Sequence, residues 1–125
     1  MLKVQQRAIE KDIICSRPTS ESCRYDLIID TENGLQKAQV KFCNSTASHS
    51  TGSVLLKLKC TKGQGAARPY TSDEIDVLLV YIPVVDKICA LPIKLIEHKS
   101  SLVLRYEKAK NGMTKNLHLI EDFIW

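Results

Sequence analysis

The sequence has no run of ~18 apolar residues, the length a membrane-spanning helix needs. Its longest unbroken apolar stretch, Val77–Val85, is far shorter and contains Pro83, so an α-helical span is excluded. It also has no C-x-x-C pair and no Cys/His cluster of zinc spacing. Cys15, Cys23, Cys43, Cys60 and Cys89 are irregularly spaced, and His49, His98 and His118 stand apart from one another. Met1 to Arg7 is amphiphilic, unlike the charged-then-apolar start of a secretion signal. Reduced thiols in a cytoplasmic compartment are therefore expected, with cysteines acting as small hydrophobes. Aromatics make up only 6% of the residues, with Tyr70 alone near the basic stretch Lys57–Arg68, so stacking on single-stranded bases is not supported. What is present is ordinary for a folded chain: 125 residues, 44% hydrophobic and 26% charged. That composition predicts one domain over residues 1–125 with its own core. The formal charge of +4 permits a polyanionic partner without requiring one.

Leu2, Val4, Ala8 and Ile9 are spaced as in a short amphipathic helix, and Ile13-Ile14-Cys15 reads as a brief strand. Tyr25–Asp30 is a strand bracketed by carboxylates, closed by a turn at Thr31-Glu32-Asn33-Gly34. The returning strand, Leu35–Cys43, alternates clearly. Gln36, Ala38, Val40 and Phe42 share one face; Lys37, Gln39, Lys41 and Cys43 share the other. A third strand covers Ser53–Cys60, with Val54, Leu56 and Leu58 inward, and Thr61–Tyr70 is a loop. Thr71-Ser72-Asp73-Glu74 carries the signature of a helix start. Strands follow at Ile75–Tyr81, Ile88–Ile93 and Leu102–Tyr106, and a last helix is predicted from Thr114 to Phe123. The fold class expected is α/β, a mixed β-sheet core flanked by helices.

One constellation carries chemistry. Asp26 lies on the first hairpin strand, and Gln39 and Lys41 lie two apart on the second, on one face. Antiparallel pairing brings Asp26 to the same edge. A carboxylate and an amide carbonyl are hard oxygen donors suited to Mg²⁺, and a neighbouring ammonium steadies developing negative charge. These are parts for hydrolysing a phosphodiester. By themselves the same residues read first as the wet face of a sheet and ordinary turn chemistry.

The ordered series is more telling. Tyr25-Asp26-Leu27-Ile28-Ile29-Asp30 followed by Gln39-Val40-Lys41 resembles the PD-(D/E)XK nuclease superfamily. Within it, the chain resembles the branch in which glutamine replaces the acid of the (D/E)XK tripeptide. That branch includes a compact homing endonuclease encoded in a cyanobacterial group I intron. Arg68-Pro69-Tyr70-Thr71-Ser72-Asp73-Glu74-Ile75-Asp76 with Val80-Tyr81 resembles its "Y-t-x-x-E-I-D…Y" stretch. Ala90-Leu91-Pro92-Ile93, Leu102–Arg105 and Lys110-Asn111-Gly112 resemble later segments. The resemblance implies a restriction-endonuclease-like fold and a Mg²⁺-dependent DNA endonuclease. It implies Asp26 and Gln39 as metal ligands, with Lys41 as catalytic lysine beside them. Asp30 and Asp76 are read as structural.

One departure stands out. The superfamily usually carries a glutamate on its first helix, some two dozen residues before the motif aspartate. Counting back from Asp26 reaches Leu2 to Val4, where no glutamate stands; Glu10 is the nearest candidate. If no acid replaces it, a catalytically impaired protein that binds DNA without cutting it is the alternative. A small protein-interaction domain is a third reading. Lys57 and Lys59 on the third strand, with Lys62 and Arg68 in the loop beyond, are the expected contacts to double-stranded DNA. Cutting both strands calls for a homo-oligomer, a dimer or tetramer.

Overall fold

The computed structural model describes residues 1–45, 52–60, 67–107 and 118–125. Lys62, the Gly63-Gln64-Gly65 loop, Lys110-Asn111-Gly112 and the first part of the expected last helix lie outside them. Helix α1 (Leu2–Glu10) leads through strand β1 (Cys15–Ser16) to a hairpin of β2 (Leu27–Thr31) and β3 (Gly34–Phe42). Then come β4 (Ser53–Lys57), β5 (Lys59–Cys60), β6 (Arg68–Pro69), β7 (Val77–Ile82) and β8 (Lys87–Pro92). The short helix α2 (Ile93–Ile96), β9 (Ser101–Arg105) and a 3₁₀ turn at Ile120–Phe123 complete the described chain.

The main sheet has the order β1-β2-β3-β7-β8. β3 and β7 run parallel, while the other neighbouring pairs are antiparallel. The β2–β3 hairpin forms as its alternation predicts. Its turn is closed by Thr31, whose hydroxyl accepts from the Asn33 N–H and donates to the Gly34 carbonyl at 2.8 Å. Gly34 has φ +104°, a conformation that costs a side-chain-bearing residue dearly. β7 reads as one apolar run because it is covered on both faces.

One face, formed by Leu27, Ile29, Ala38, Val77, Leu79 and Ile88, packs on Val4 of α1, with Trp125 at its margin. Val4 and Ala8 lie one turn apart and form the buried stripe of α1, whereas Leu2 and Ile9 are exposed. The other face, with Leu78, Val80, Ile82 and Leu91, is covered by the antiparallel pair β4–β9 through Val54, Leu56, Leu102 and Leu104. So the expected flanking by helices holds on one face, and a two-stranded ribbon does most of the covering on the other. No helix among the described residues is long and apolar enough to cross a membrane.

Two expected helices differ. Thr71–Glu74 makes a single hydrogen-bonded turn, because Ile75 is drawn into the core and Asp76 is committed to β3. At the C-terminus the described part is the 3₁₀ turn; Ile120 is buried, but Ile124 stays exposed. The expected third strand divides at Leu58 into β4 and β5.

Cys43 and Cys89 are buried free thiols, and burial pushes Cys89 up to about 11. Burial also raises Cys43, against the opposing pull of a Ser45 backbone hydrogen bond and the Lys41 charge. The thiolate is the reactive form. In native protein at about pH 8, iodoacetamide is therefore expected to modify half-buried Cys23 and spare Cys43 and Cys89 until denaturant is added. Mass mapping of the adducts reads this out, and native labelling of Cys89 contradicts it.

Candidate active site

β2 begins at Leu27, opposite Ala38, so beyond Ala38 no strand among the described residues pairs with that flank of β3. Asp26 fills the gap. Its Oδ2 accepts from the Val40 N–H at 3.1 Å, satisfying a donor that the missing strand would have paired. The same oxygen accepts from Gln39 Nε2 at 2.7 Å. Asp26 and Gln39 thus meet at the end of the β2–β3 pairing. Lys41 follows two residues on, on the same face, about 7 Å along the strand.

The pair sits between two clefts. Gln39 and Lys41 line one of about 360 Å³ together with Lys57 and Tyr70. Asp26 lines the other, of about 380 Å³, with Met1, Arg17 and Glu21. Gln39 is buried, and its Oε1 has no hydrogen-bond partner among the described residues. A buried amide oxygen without a donor is costly in an apolar setting, and either water in the cleft or a cation satisfies it. With the Asp26 carboxylate, this makes a hard-oxygen donor set of the kind that holds a small divalent metal through one carboxylate, waters and substrate phosphate. No cluster of three His, Cys, Asp or Glu side chains suited to a metal occurs among the described residues.

The aromatic floor of the first cleft is built from afar. Arg24 is buried, and its Nη2 donates to the carbonyls of Arg68 at 3.1 Å and Pro69 at 3.2 Å. Its Nε lies 2.9 Å from Glu74 Oε2. Glu74 also accepts from Arg68 and from the Thr71 N–H and hydroxyl. Burial would raise the Glu74 carboxyl, but the Arg68 and Thr71 hydrogen bonds and the two arginine charges outweigh it and hold it below its usual range. Tyr70, fully buried, has the Arg24 guanidinium carbon 4.7 Å and the Lys41 Nζ 5.7 Å from its ring centroid.

The structure joins Asp26 to Gln39 by a hydrogen bond and sets Lys41 in the cleft that Gln39 lines, while Asp26 lines the other. Glu10 is not among them: it pairs with Arg7 at 3.3 Å and Gln6 at 3.3 Å beside Tyr81 and Asp86. It lies about 13 Å along the helix from Met1, the residue that does share the Asp26 cleft. Asp30 is exposed near the turn. Asp76 is a clamp: its Oδ2 accepts from the Lys37 N–H at 2.8 Å and its own N–H donates to the Lys37 carbonyl. Of the basic residues, Lys57 and Lys59 are exposed, and Lys57 lines the Gln39–Lys41 cleft. Arg68 is exposed as well, and its guanidinium also pairs with Glu74 at 2.8 Å. Sequence reasoning missed Arg17 and Glu21 in the Asp26 cleft, and the Arg24–Tyr70 stack.

The fold is that of a PD-(D/E)XK nuclease. Residues 1–125 match the family described as PD-(D/E)XK endonuclease, and the chain belongs to it. Members of that family generally depend on a divalent metal. Among solved structures, the chain is similar to a bacterial homing endonuclease, I-Ssp6803I. The TM-score is 0.73 at 19% identity, over 98% of this chain and 82% of that one. No curated protein matches the chain in sequence.

Proposed function

We propose that the protein is a Mg²⁺-dependent endonuclease that hydrolyses phosphodiester bonds of double-stranded DNA, of the homing or mobile-element type. The observation that carries this reading is the Asp26–Gln39 pair, with its unsatisfied buried amide oxygen, set beside the Lys41 ammonium. Asp26 and Gln39 would hold the metal, and Lys41 would supply its charge to the phosphate to be cut. A divalent metal bound there supplies Lewis-acid stabilisation of the phosphoryl oxygens. Lys41 adds a fixed positive charge where negative charge develops, and the cleft walls keep it partly shielded from water. Lys57 and Lys59 hold the backbone to either side. Arg68, half exposed, adds positive charge nearby, since the one Glu74 carboxylate it pairs with is shared with Arg24. A symmetric oligomer presents two such sites to the two strands.

The test is nicking of supercoiled plasmid DNA in Mg²⁺ with and without EDTA. Nicking that needs the metal is expected; a chain inert under all metal conditions contradicts the reading. Replacing Lys57 or Lys59 with alanine is expected to weaken duplex binding without regard to sequence. Each change should lower the slope of log affinity on log salt by about 1. Filter binding across a salt series measures it.

A second reading has its own observation in support: Glu10 is tied to Arg7 and Gln6, away from Asp26. A chain that binds duplex DNA with steep salt dependence but never nicks it is that catalytically impaired descendant.

A further inference from the structure

Lysine is a poor choice for a fixed charge unless something holds it. Its ammonium rides on a stem with many rotamers, and a misplacement of about 1 Å at a reacting centre can cost 10²-fold in rate. Among the described residues, Lys41 Nζ has no carboxylate or carbonyl holding it. What it has is the face of Tyr70, at 5.7 Å. Within about 6 Å of a ring centroid an ammonium is attracted by the electron-rich face, more strongly where water is kept away.

Tyr70 is itself an unusual piece of construction. It is fully buried, and the Arg24 guanidinium sits against the ring at 4.7 Å. Arg24 is pinned by two carbonyls and by Glu74, whose carboxylate also grips Arg68 and Thr71 on either side of the tyrosine. A buried ion pair of this sort is rarely the cheapest way to stabilise a fold, and its return is a fixed geometry. The carboxylate has a second effect. It balances the Arg24 charge, so that Lys41 does not approach the ring against an uncompensated guanidinium.

We propose that Tyr70, clasped by Arg24 and Glu74, is a positioning residue whose ring face fixes the Lys41 ammonium in the cleft beside Gln39. The proposal rests on the reading of Lys41 as the group that acts on the phosphate. It extends that reading to a residue that touches neither metal nor DNA.

The test uses the full chain with Mg²⁺ and supercoiled plasmid, under single turnover, with duplex affinity measured separately. Tyr70→Leu is expected to slow cleavage about tenfold with affinity unchanged. Tyr70→Phe, which keeps the ring, restores most of the rate. Ring-fluorinated phenylalanines at position 70 keep the shape but drain the face of electron density, and the rate falls with each added fluorine. Fluorinated rings that cut as fast as Tyr70→Phe overturn the proposal, as does a Tyr70→Leu protein whose rate and affinity fall in proportion. Where Tyr70→Leu fails to fold, the fluorinated series decides. The ε-methylene resonance of Lys41 gives a reading independent of cleavage. It is expected upfield in the wild type and in Tyr70→Phe, and an undisplaced wild-type resonance overturns the placement. An upfield resonance in a chain that does not nick DNA leaves the placement standing and removes only the nuclease reading.

Discussion

Lys41→Ala is expected to slow plasmid nicking by about 10²–10³-fold, the loss typical when one preorganised electrostatic group is removed from a reacting centre. Duplex affinity is expected to change far less, because Lys57 and Lys59 remain exposed and available to the backbone. The size of the effect follows from the position of the lysine. It lies two residues beyond Gln39 on the one sheet face that opens into the cleft, against a buried ring rather than in bulk water. A charge so placed is worth more than a solvated one and needs no reorganisation as charge develops. Single-turnover rates beside measured affinities make the comparison. Nicking that survives Lys41→Ala at the wild-type rate would remove the lysine from the mechanism.

The second large effect is on stability. Glu74→Ala should cost about 3–5 kcal/mol, the usual penalty for leaving a buried charge without its partner. The Arg24 and Glu74 side chains are only 9% and 14% exposed, so solvent cannot replace what is lost. The neighbouring substitution Asp73→Ala, at an exposed position, is expected to stay within about 0.5 kcal/mol of wild type. The pair also sets an acid limit. Because the folded carboxyl titrates below its ordinary 4.5, its contribution is fully present above that pH and is lost as pH falls through the lowered value. Denaturant melts of wild type should therefore lose stability below about pH 4.5 more steeply than melts of Glu74→Ala. Parallel acid limbs would contradict this assignment.

Particular residues show what could be read in advance. The β2–β3 hairpin was legible because a half-buried pair of strands advertises itself by alternation, and Asn33-Gly34 marks the turn. That register alone sets Asp26 opposite Gln39 and puts Lys41 on the same face. The carboxylate's second task, capping the Val40 N–H where β2 stops, needed the strand ends. Glu74 signalled a helix, and its carboxylate does reach back to the Thr71 N–H as in half of a capping box, yet no helix follows. Asp76, two residues on, takes both backbone groups of Lys37 and starts β7 instead. Tertiary pairing won over a local signal. The cover of the second face was illegible for a different reason. β4 and β9 are far apart in sequence, and nothing local in either names the other as its partner. Arg24 was hidden in the same way: between Cys23 and Tyr25 it looks like a loop residue, and it is buried by carbonyls 44 and 45 residues away. The stretch from Arg68 to Asp76, recognised as a run of family-like residues, thus acquires a physical sense. It carries the ring against Lys41, the carboxylate that holds Arg24, and the clamp on β3.

The measurement that bears most directly on the metal site is plasmid nicking by Asp26→Asn against wild type across a Mg²⁺ series. The asparagine keeps an oxygen facing Gln39 and Val40 but loses the only charge the pair offers a cation. The wild-type rate should rise with Mg²⁺ and saturate, and Asp26→Asn should show no Mg²⁺-dependent nicking at any concentration. A variant that nicks as fast as wild type, at the same Mg²⁺, would contradict the site built here on Asp26, Gln39 and Lys41.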